Sequence, residues 1–277
     1  MTDTAANPEI HAENYRFLRE HVYSEAGIVL GEDKHYLFEN RLAPLVRQHG
    51  YGSINDLCAV LRVSRGMAIS RQVVEAMTTN ETYLFRDPAQ YDAIRNELFP
   101  SLRQAREDSR KLRFWSAASS TGQEAYSLAM LLKEEGWNGW NIQILGTDYS
   151  SHVLDRARLG SYFQIEVNRG LRAALLVKYF RRAGVDWQIS EDLRRMVIFE
   201  SIDLRASMRA MGPFDLVFCR NVLIYFDDQT KRKILKELHG TLFRGGWLLL
   251  GGAETVFGIE EWFERQNVGS ATVYVAR

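Results

Sequence analysis

Cysteine is almost missing from this chain of 277 residues. The two present, Cys58 and Cys219, are too few and too far apart for a disulfide framework or a cysteine zinc site, and they read as small buried apolar residues rather than catalytic thiols. Net charge is missing as well. Lys plus Arg number 35 and Asp plus Glu number 35, which excludes the global basic field of a nucleic-acid binder and leaves any charged patch local. No apolar run approaches the ~20 residues of a membrane span, and the opening MTDTAANPEI shows neither the charged n-region nor the apolar h-region of a secretory signal. The expectation is a cytoplasmic protein that does not insert into membranes. Hydrophobic residues at 46% and charged ones at 25% are ordinary for a folded soluble chain, long enough for one large core or two modest domains.

What is present is organised around Leu112 to Met130, LRFWSAASSTGQEAYSLAM. An apolar and aromatic run suits a buried strand, and from Gln123 the spacing of Tyr126, Leu128, Leu131 and Leu132 turns helical. Between them lie only small residues, Ala118 to Gly122, leading onto a helix N-terminus with free N–H groups. The lysine of G-x-x-x-x-G-K-[ST] is absent, and so is G-x-G-x-x-G. A carboxylate in the first helical turn, Glu124, would repel a pyrophosphate but suits an amino group or a sulfonium-bearing amino acid. A nucleoside ligand without phosphates, such as S-adenosylmethionine, therefore fits this loop. An ordinary tight turn of a doubly wound sheet remains the alternative.

Upstream, residues Met1 to Pro8 read as a loose tail, and closely spaced helical patterns follow up to Met77. Phe17, Leu18, Val22 and Ala26 form one stripe ended by Gly27. Asp33 is placed to cap a second helix carrying Phe38, Leu42, Leu45 and Val46, with Pro44 expected to kink or split it near Ala43. Ser53 caps a third helix, and Ile69 to Met77 make a fourth. Lys34, Arg41 and Arg47 lie off the apolar stripe of the second helix, where a solvated face and a substrate-reading face are both open. Thr78 to Asp87 breaks the helical rhythm before Asp87-Pro88, a helix start with proline in the first turn. Strands then alternate with helices, as in a mostly parallel sheet. The candidates are Leu112 to Ala117, Ile142 to Gly146, Val197 to Glu200, Phe214 to Cys219, Trp247 to Gly251 and Thr272 to Ala276. Residues 160–196, rich in arginine, interrupt the alternation, and Phe263 to Arg277 suggests a closing hairpin with an antiparallel last strand.

Five further residues sit at or after the carboxyl ends of three of these strands, where doubly wound sheets bind ligands. Asp148 can accept two hydrogen bonds from ribose hydroxyls or simply cap the next helix. Asp203 is placed to reach an adenine amino group or to make a turn. Arg220, Asn221 and Tyr225 follow the fourth strand, with Tyr225 open to a site role or to a core aromatic with its hydroxyl at the surface.

Taken together, TTNET-x-x-FR at Thr78 to Arg86, WSAASSTGQEAYSLAM, GTDYSSHVLDRARLGSY, GPFDLVFCRNVLIYFD and GGWLLLGGAE resemble the chemotaxis receptor glutamate methyltransferases, the CheR type, from Tyr15 to Tyr274. The resemblance implies a Rossmann-like α/β fold, the class I S-adenosylmethionine-dependent methyltransferase sheet, with a small β insert at 160–196. An all-helical receptor-recognition domain at 1–80 would precede a methyltransferase domain at 81–277. It further implies cofactor contacts from Asn80, Thr82, Arg86, Glu124, Asp148, Asp203, Leu204, Arg220 and Asn221, with Tyr225 beside the transferred methyl. An arginine of the helix before the first strand is also implicated in that family, and Arg103 is the nearest match. The implied product is S-adenosylhomocysteine, and the implied partners are chemoreceptor helices, read by Lys34, Arg41 and Arg47, together with a regulatory protein. The enzyme would act as a monomer, without metal and without nucleic acid. Where many members read GEEPYS, this chain has Gly122 to Ser127 as GQEAYS, keeping the second acid as Glu124. Asp203 replaces an asparagine common in the family, which keeps an acceptor and loses an amide donor.

Overall fold

The computed structural model describes residues 9–63, 68–254 and 258–277; the amino-terminal stretch read as a loose tail lies outside them. The chain divides into two compact units, one running through Thr79 together with Tyr225–Asp227, the other comprising Asn80–Ile224 and Asp228–Arg277.

The first unit is helical, with α1 Ala12–Ala26, α2 His35–Gln48, α3 Ile54–Val63 and α4 Ala68–Met77. Its core is built from the expected stripes. Leu18, Val22, Phe38, Leu42, Leu57, Val73 and Val74 are fully buried, because residues three and four apart share one helix face. Gly27 ends α1 in the left-handed conformation at φ 72°. The Ser53 hydroxyl accepts the Asp56 N–H at 3.1 Å and so caps α3. Two expectations need correction. Asp33 does not cap α2: the cap position is Lys34, with no side-chain cap bond, and the Asp33 carboxylate pairs with Lys34 instead, at 3.2 Å. Of the kink or split expected at Pro44 the split does not occur: α2 is one helix through it. Pro44 and Asn40 are both exposed, so the Asn40 carbonyl that loses its helical donor can take one from water.

The second unit opens with α5 Pro88–Ala93, a π turn at Ile94–Leu98 and α6 Phe99–Ala105. Pro100 has no N–H to give to the preceding turn, and the Phe99 N–H reaching back to the Ile94 carbonyl carries the helix past it. The alternation then follows: β1 Lys111–Ala117, α7 Gln123–Glu134, β2 Asn141–Asp148 and α8 Ser151–Leu159. Next come β3 Ser161–Tyr162, α9 Gln164–Asn168, α10 Ala173–Tyr179, β4 Phe180–Ala183, β5 Asp186–Ile189 and α11 Glu191–Arg194. These pack around a separate three-stranded antiparallel sheet of order β3-β5-β4. The main sheet resumes with β6 Val197–Ser201 and β7 Phe214–Cys219, and after α12 Asp228–His239 closes with β8 Leu242–Leu250, β9 Phe263–Val268 and β10 Ala271–Ala276.

The main sheet has seven strands in the order β6-β2-β1-β7-β8-β10-β9. Pairs are parallel from β6 to β8, and β10 runs antiparallel to both β8 and β9, so the expected closing hairpin is there. All six residues of β7 are buried, the signature of a central parallel strand covered on both faces. Strand order reverses between β1 and β7, and this switch point at the carboxyl edge is where such sheets open a crevice for ligands.

Candidate active site

The crevice is formed by the turns that leave β1, β2, β7 and β8. After β1, the Ser119 N–H donates to the Thr147 carbonyl at 2.7 Å and the Gly122 N–H to the Ser119 carbonyl at 2.9 Å, which folds Ala118 to Gly122 into a tight arch. Gly122 sits at φ 91°, and a Cβ there would stand 3.0 Å from Ala157 Cβ and 3.0 Å from Phe199 Cζ. Only glycine lets the arch seat this closely on α8 and β6.

Asp148 ties the arch to β2. Its Oδ2 accepts the Ser120 N–H at 2.9 Å and its Oδ1 the Ser150 N–H at 3.0 Å. With 8% of its surface exposed, Asp148 is a buried organiser of the crevice and not the surface-edge side chain that its place after a strand suggests. The Ser120 hydroxyl donates to the Asn80 carbonyl at 2.8 Å, and the Phe85 N–H donates to the Ser127 hydroxyl at 2.8 Å. Segment 80–87, which carries Asn80, Thr82 and Arg86, is thereby laid along the arch and the start of α7.

Glu124 and Arg220 hold the middle. The Glu124 carboxylate accepts the Ser116 hydroxyl at 2.7 Å and Arg220 Nη1 at 3.0 Å. Arg220 Nη2 donates to the Arg86 carbonyl at 2.7 Å and to the Asp87 carboxylate. One guanidinium, 2% exposed, thus joins β7, α7 and segment 80–87. Burial pushes the Glu124 carboxyl above its ordinary range, against the pull of Arg220. Burial also works against the Arg220 charge, but the carboxylates of Glu124 and Asp87 more than offset it and hold the guanidinium's pKa above its usual value. Glu124 is therefore part of the frame that fixes Arg220, a role the sequence did not assign it.

The remaining expected residues divide. Asp203 follows β6, beside the end of β2, where the Ile202 N–H meets the Asp148 carbonyl at 3.0 Å. Its carboxylate pairs with Arg205 at 2.7 Å, and Leu204 beside it is buried. Asn221 directly follows Arg220. Arg103 is not in this crevice. It donates to the Glu135 carbonyl at 2.6 Å and stacks 4.1 Å over Trp137, past the carboxyl end of α7, whereas Glu124 is at the amino end; the 12 residues of α7 separate them by roughly 18 Å at 1.5 Å per residue. Tyr225 ends a 3-10 turn, Leu223–Tyr225, and counts with the helical unit, where the Val29 N–H donates to its carbonyl at 2.8 Å. In that unit Arg41 is committed: Nη1 donates to the Met77 and Thr78 carbonyls at 2.8 and 3.0 Å, and Nη2 to the Thr79 hydroxyl at 3.1 Å. It closes the end of α4. Lys34 is half-exposed and Arg47 exposed.

Two observations mark the crevice as built for a ligand. Among the described residues, seven buried side-chain atoms lack a hydrogen-bond partner, and five of them belong here: Ser119 Oγ, Arg220 Nε, Asn221 Oδ1, Gln90 Oε1 and Tyr91 Oη. Gln90 reaches the end of β8 by donating to the Leu250 carbonyl at 2.8 Å, and the Tyr91 ring lies 6.0 Å from Phe218 of β7. Unpaired buried polar atoms are costly, so a concentration of them calls for a partner. Six non-glycine residues among those described adopt positive φ, and five of these, Phe85, Asp87, Ala118, Ser120 and Asn221, also lie here; strain of this kind collects at ligand sites. The unpaired set includes acceptors and an N–H donor, which suits a nucleoside carrying a zwitterionic amino acid. The thiols do not enter the chemistry: burial raises the Cys58 pKa to about 11 and that of Cys219 well above its usual value.

The chain is similar to known proteins over nearly its whole length. The family model described as "CheR methyltransferase, SAM binding domain" matches residues 80–272, and that described as "CheR methyltransferase, all-alpha domain" matches residues 13–78. The chain is 37% identical over 270 residues to chemotaxis protein methyltransferase 1 of Pseudomonas aeruginosa, covering 95% of this chain and 98% of that one. It is 37% identical over 257 residues to chemotaxis protein methyltransferase Cher2 of Pseudomonas putida, covering 91% and 93%. A chemotaxis protein methyltransferase of Vibrio parahaemolyticus is 36% identical over 270 residues, covering 96% and 97%.

Proposed function

Because this chain belongs to the CheR methyltransferase family and is a methyltransferase of chemotaxis that uses S-adenosylmethionine, we propose that it forms methyl esters on glutamate side chains of chemoreceptor cytoplasmic helices. The supporting observation is the crevice itself: a charged frame that is internally paired, ringed by polar atoms without a protein partner. An ordinary glutamate ionises near ~4.3, so a receptor carboxylate arrives near neutrality as the nucleophile and needs no proton removed. Bound S-adenosylmethionine supplies an electrophilic methyl carbon.

The protein's part is to bind, orient and exclude water. Asn80, Thr82, Arg86, Asp148, Asp203, Leu204, Arg220 and Asn221 hold the cofactor, with Asp148 offering its carboxylate to the ribose and Asp203 an acceptor to the adenine amino group. Glu124 serves by fixing Arg220. Tyr225 orients the reacting groups. Lys34 and Arg47 draw in the acidic receptor helix, while Arg41 secures the end of the helix before the methyltransferase unit. No helix among the described residues is long and apolar enough to cross a membrane, and on this reading the enzyme works in the cytoplasm, recruited to receptor arrays. Mass spectrometry of a receptor cytoplasmic fragment incubated with enzyme and S-adenosylmethionine tests the proposal. Base-labile methyl groups on glutamate are expected; methylation confined to another residue type or to nucleic acid would overturn it.

A further inference from the structure

We infer that Glu254 is a positioning residue, which acts through Asn221 to shape the cofactor crevice; the inference rests on the assignment of Asn221 to cofactor binding. The chain leaves β8 at Leu250 and turns back at once, with the Glu254 N–H bonded to the Gly251 carbonyl at 2.9 Å. This brings the Glu254 carboxylate, 7% exposed, under the turn that leaves β7. Its Oε2 accepts the N–H groups of Asn221 and Gly251, each at 2.7 Å. Its Oε1 accepts those of Val222 at 2.9 Å and Leu223 at 2.8 Å. Four main-chain donors converge on one carboxylate, a backbone nest with an internal anion.

That arrangement explains a strained residue. Asn221 sits at φ 58°, a left-handed conformation that asparagine tolerates better than most residues but still at a cost. Three consecutive N–H groups, from Asn221 to Leu223, point to the same carboxylate, and only a chain that reverses at Asn221 presents them that way. Gly251 completes the packing. A Cβ on it would stand 2.6 Å from Asn221 Nδ2 and 2.9 Å from Glu254 Oε2, so the Asn221 carboxamide rests directly on the Gly251 backbone. The result is a carboxamide of fixed orientation whose buried Oδ1 has no protein donor and is available to a ligand. The same carboxylate, through Leu223, sets the start of the 3-10 turn that ends at Tyr225.

Glutamine cannot replace it. Glu254→Gln keeps the shape, but its amide has one accepting oxygen and puts N–H donors where two N–H groups already point. S-adenosylhomocysteine affinity, measured by calorimetry on the full chain, should fall at least tenfold in E254Q while its melting temperature stays close to that of N221A. The decisive comparison is a double-mutant cycle with Asn221→Ala. If Glu254 works through Asn221, E254Q/N221A binds no more weakly than N221A alone. Wild-type affinity in E254Q, or losses that add in the double mutant, would overturn the inference. An N221A variant with full affinity would overturn it too, and would identify the assignment of Asn221 as the failed premise. Should E254Q not fold, Glu254→Asp, which keeps the charge on a shorter arm, carries the same cycle with the same expected non-additivity.

Discussion

Replacing Arg220 by methionine separates the frame of the crevice from its ligand chemistry. The guanidinium is 2% exposed and donates to the Glu124 carboxylate, the Arg86 carbonyl and the Asp87 carboxylate. Asp87 is 40% exposed, and water can replace its partner at little cost. Glu124 has no such recourse, since its carboxylate would keep only the Ser116 hydroxyl. Removing one partner of a buried pair costs about 3–5 kcal/mol, whereas replacing both with apolar groups of similar volume is often neutral. In urea titrations R220M should therefore lose about 3–5 kcal/mol, and R220M/E124L should recover most of it. Cofactor affinity should not recover, because the double variant still lacks Nε and the tether to segment 80–87. An R220M protein within ~0.5 kcal/mol of wild type, the scatter of an ordinary surface change, would show that the pair is not part of the frame. A double variant that binds S-adenosylhomocysteine like wild type would remove Arg220 from the site.

Five other substitutions test separate parts of the reading. Burial holds the Glu124 pKa above its ordinary value, so the folded chain binds that proton more tightly than the unfolded one; the protonated form's stabilisation is complete below the unfolded pKa of ~4.3 and is lost as pH rises through the folded value. The stability of wild type relative to E124Q should therefore decline as pH rises from about 4 toward neutrality, and a difference that grows instead would mean Arg220 outweighs burial. Asp148→Asn leaves one accepting oxygen for the Ser120 and Ser150 N–H groups; losing a hydrogen bond to a charged acceptor, ~1.5–3 kcal/mol, should lower cofactor affinity more than tenfold by calorimetry, and unchanged affinity in the folded variant would clear Asp148 of that role. Tyr225→Phe should reduce kcat on receptor with cofactor affinity nearly unchanged; a collapse in affinity would make Tyr225 a binding residue. Arg47→Glu should raise KM for receptor at low salt and lose that effect once screening shortens below ~8 Å, whereas Arg41→Glu should lower the melting temperature by undoing the end of α4; equal effects of the two at every salt concentration would reject the distinction.

The sheet was legible because parallel strands buried on both faces must be apolar runs, and Phe214 to Cys219 is one with no polar break beyond Asp215. Asp215 itself is met by Arg106 at 3.0 Å and by the Arg113 N–H at 2.9 Å. The crevice was legible in outline for a related reason: small residues after one strand and Arg220-Asn221 after another identify the edge where order reverses. What pattern could not show is which polar atoms are already spent. Arg41 and Arg47 are both arginines of α2 that lie off its apolar stripe, yet one guanidinium closes a helix end and the other is exposed. Arg103 matched an expected arginine by its place before β1, but its guanidinium is taken by the Glu135 carbonyl and the Trp137 ring, contacts that pattern does not reveal. Glu254 left a local signal, GGAE, two glycines and an acid after a buried strand, whose meaning depends on the Asn221 turn 33 residues away in sequence.

The strained residues and the tethers that hold them form one system. A left-handed non-glycine residue costs about 1–3 kcal/mol and persists only where its surroundings fix it. Phe85 is fixed by the Ser127 hydroxyl at its N–H, Asp87 by the Arg220 guanidinium at its carboxylate, Ser120 by Asp148 at its N–H and by the Asn80 carbonyl at its hydroxyl, and Asn221 by Glu254. Three of these five ties involve a charged group, and such bonds contribute about 1.5–3 kcal/mol each, comparable with the strain they oppose. The carboxylates of this crevice thus work on the backbone before any ligand is present. The proposed reaction, whose nucleophile would arrive already ionised, asks for accurate placement above all, and placement is what an internally paired, polar-tethered edge supplies.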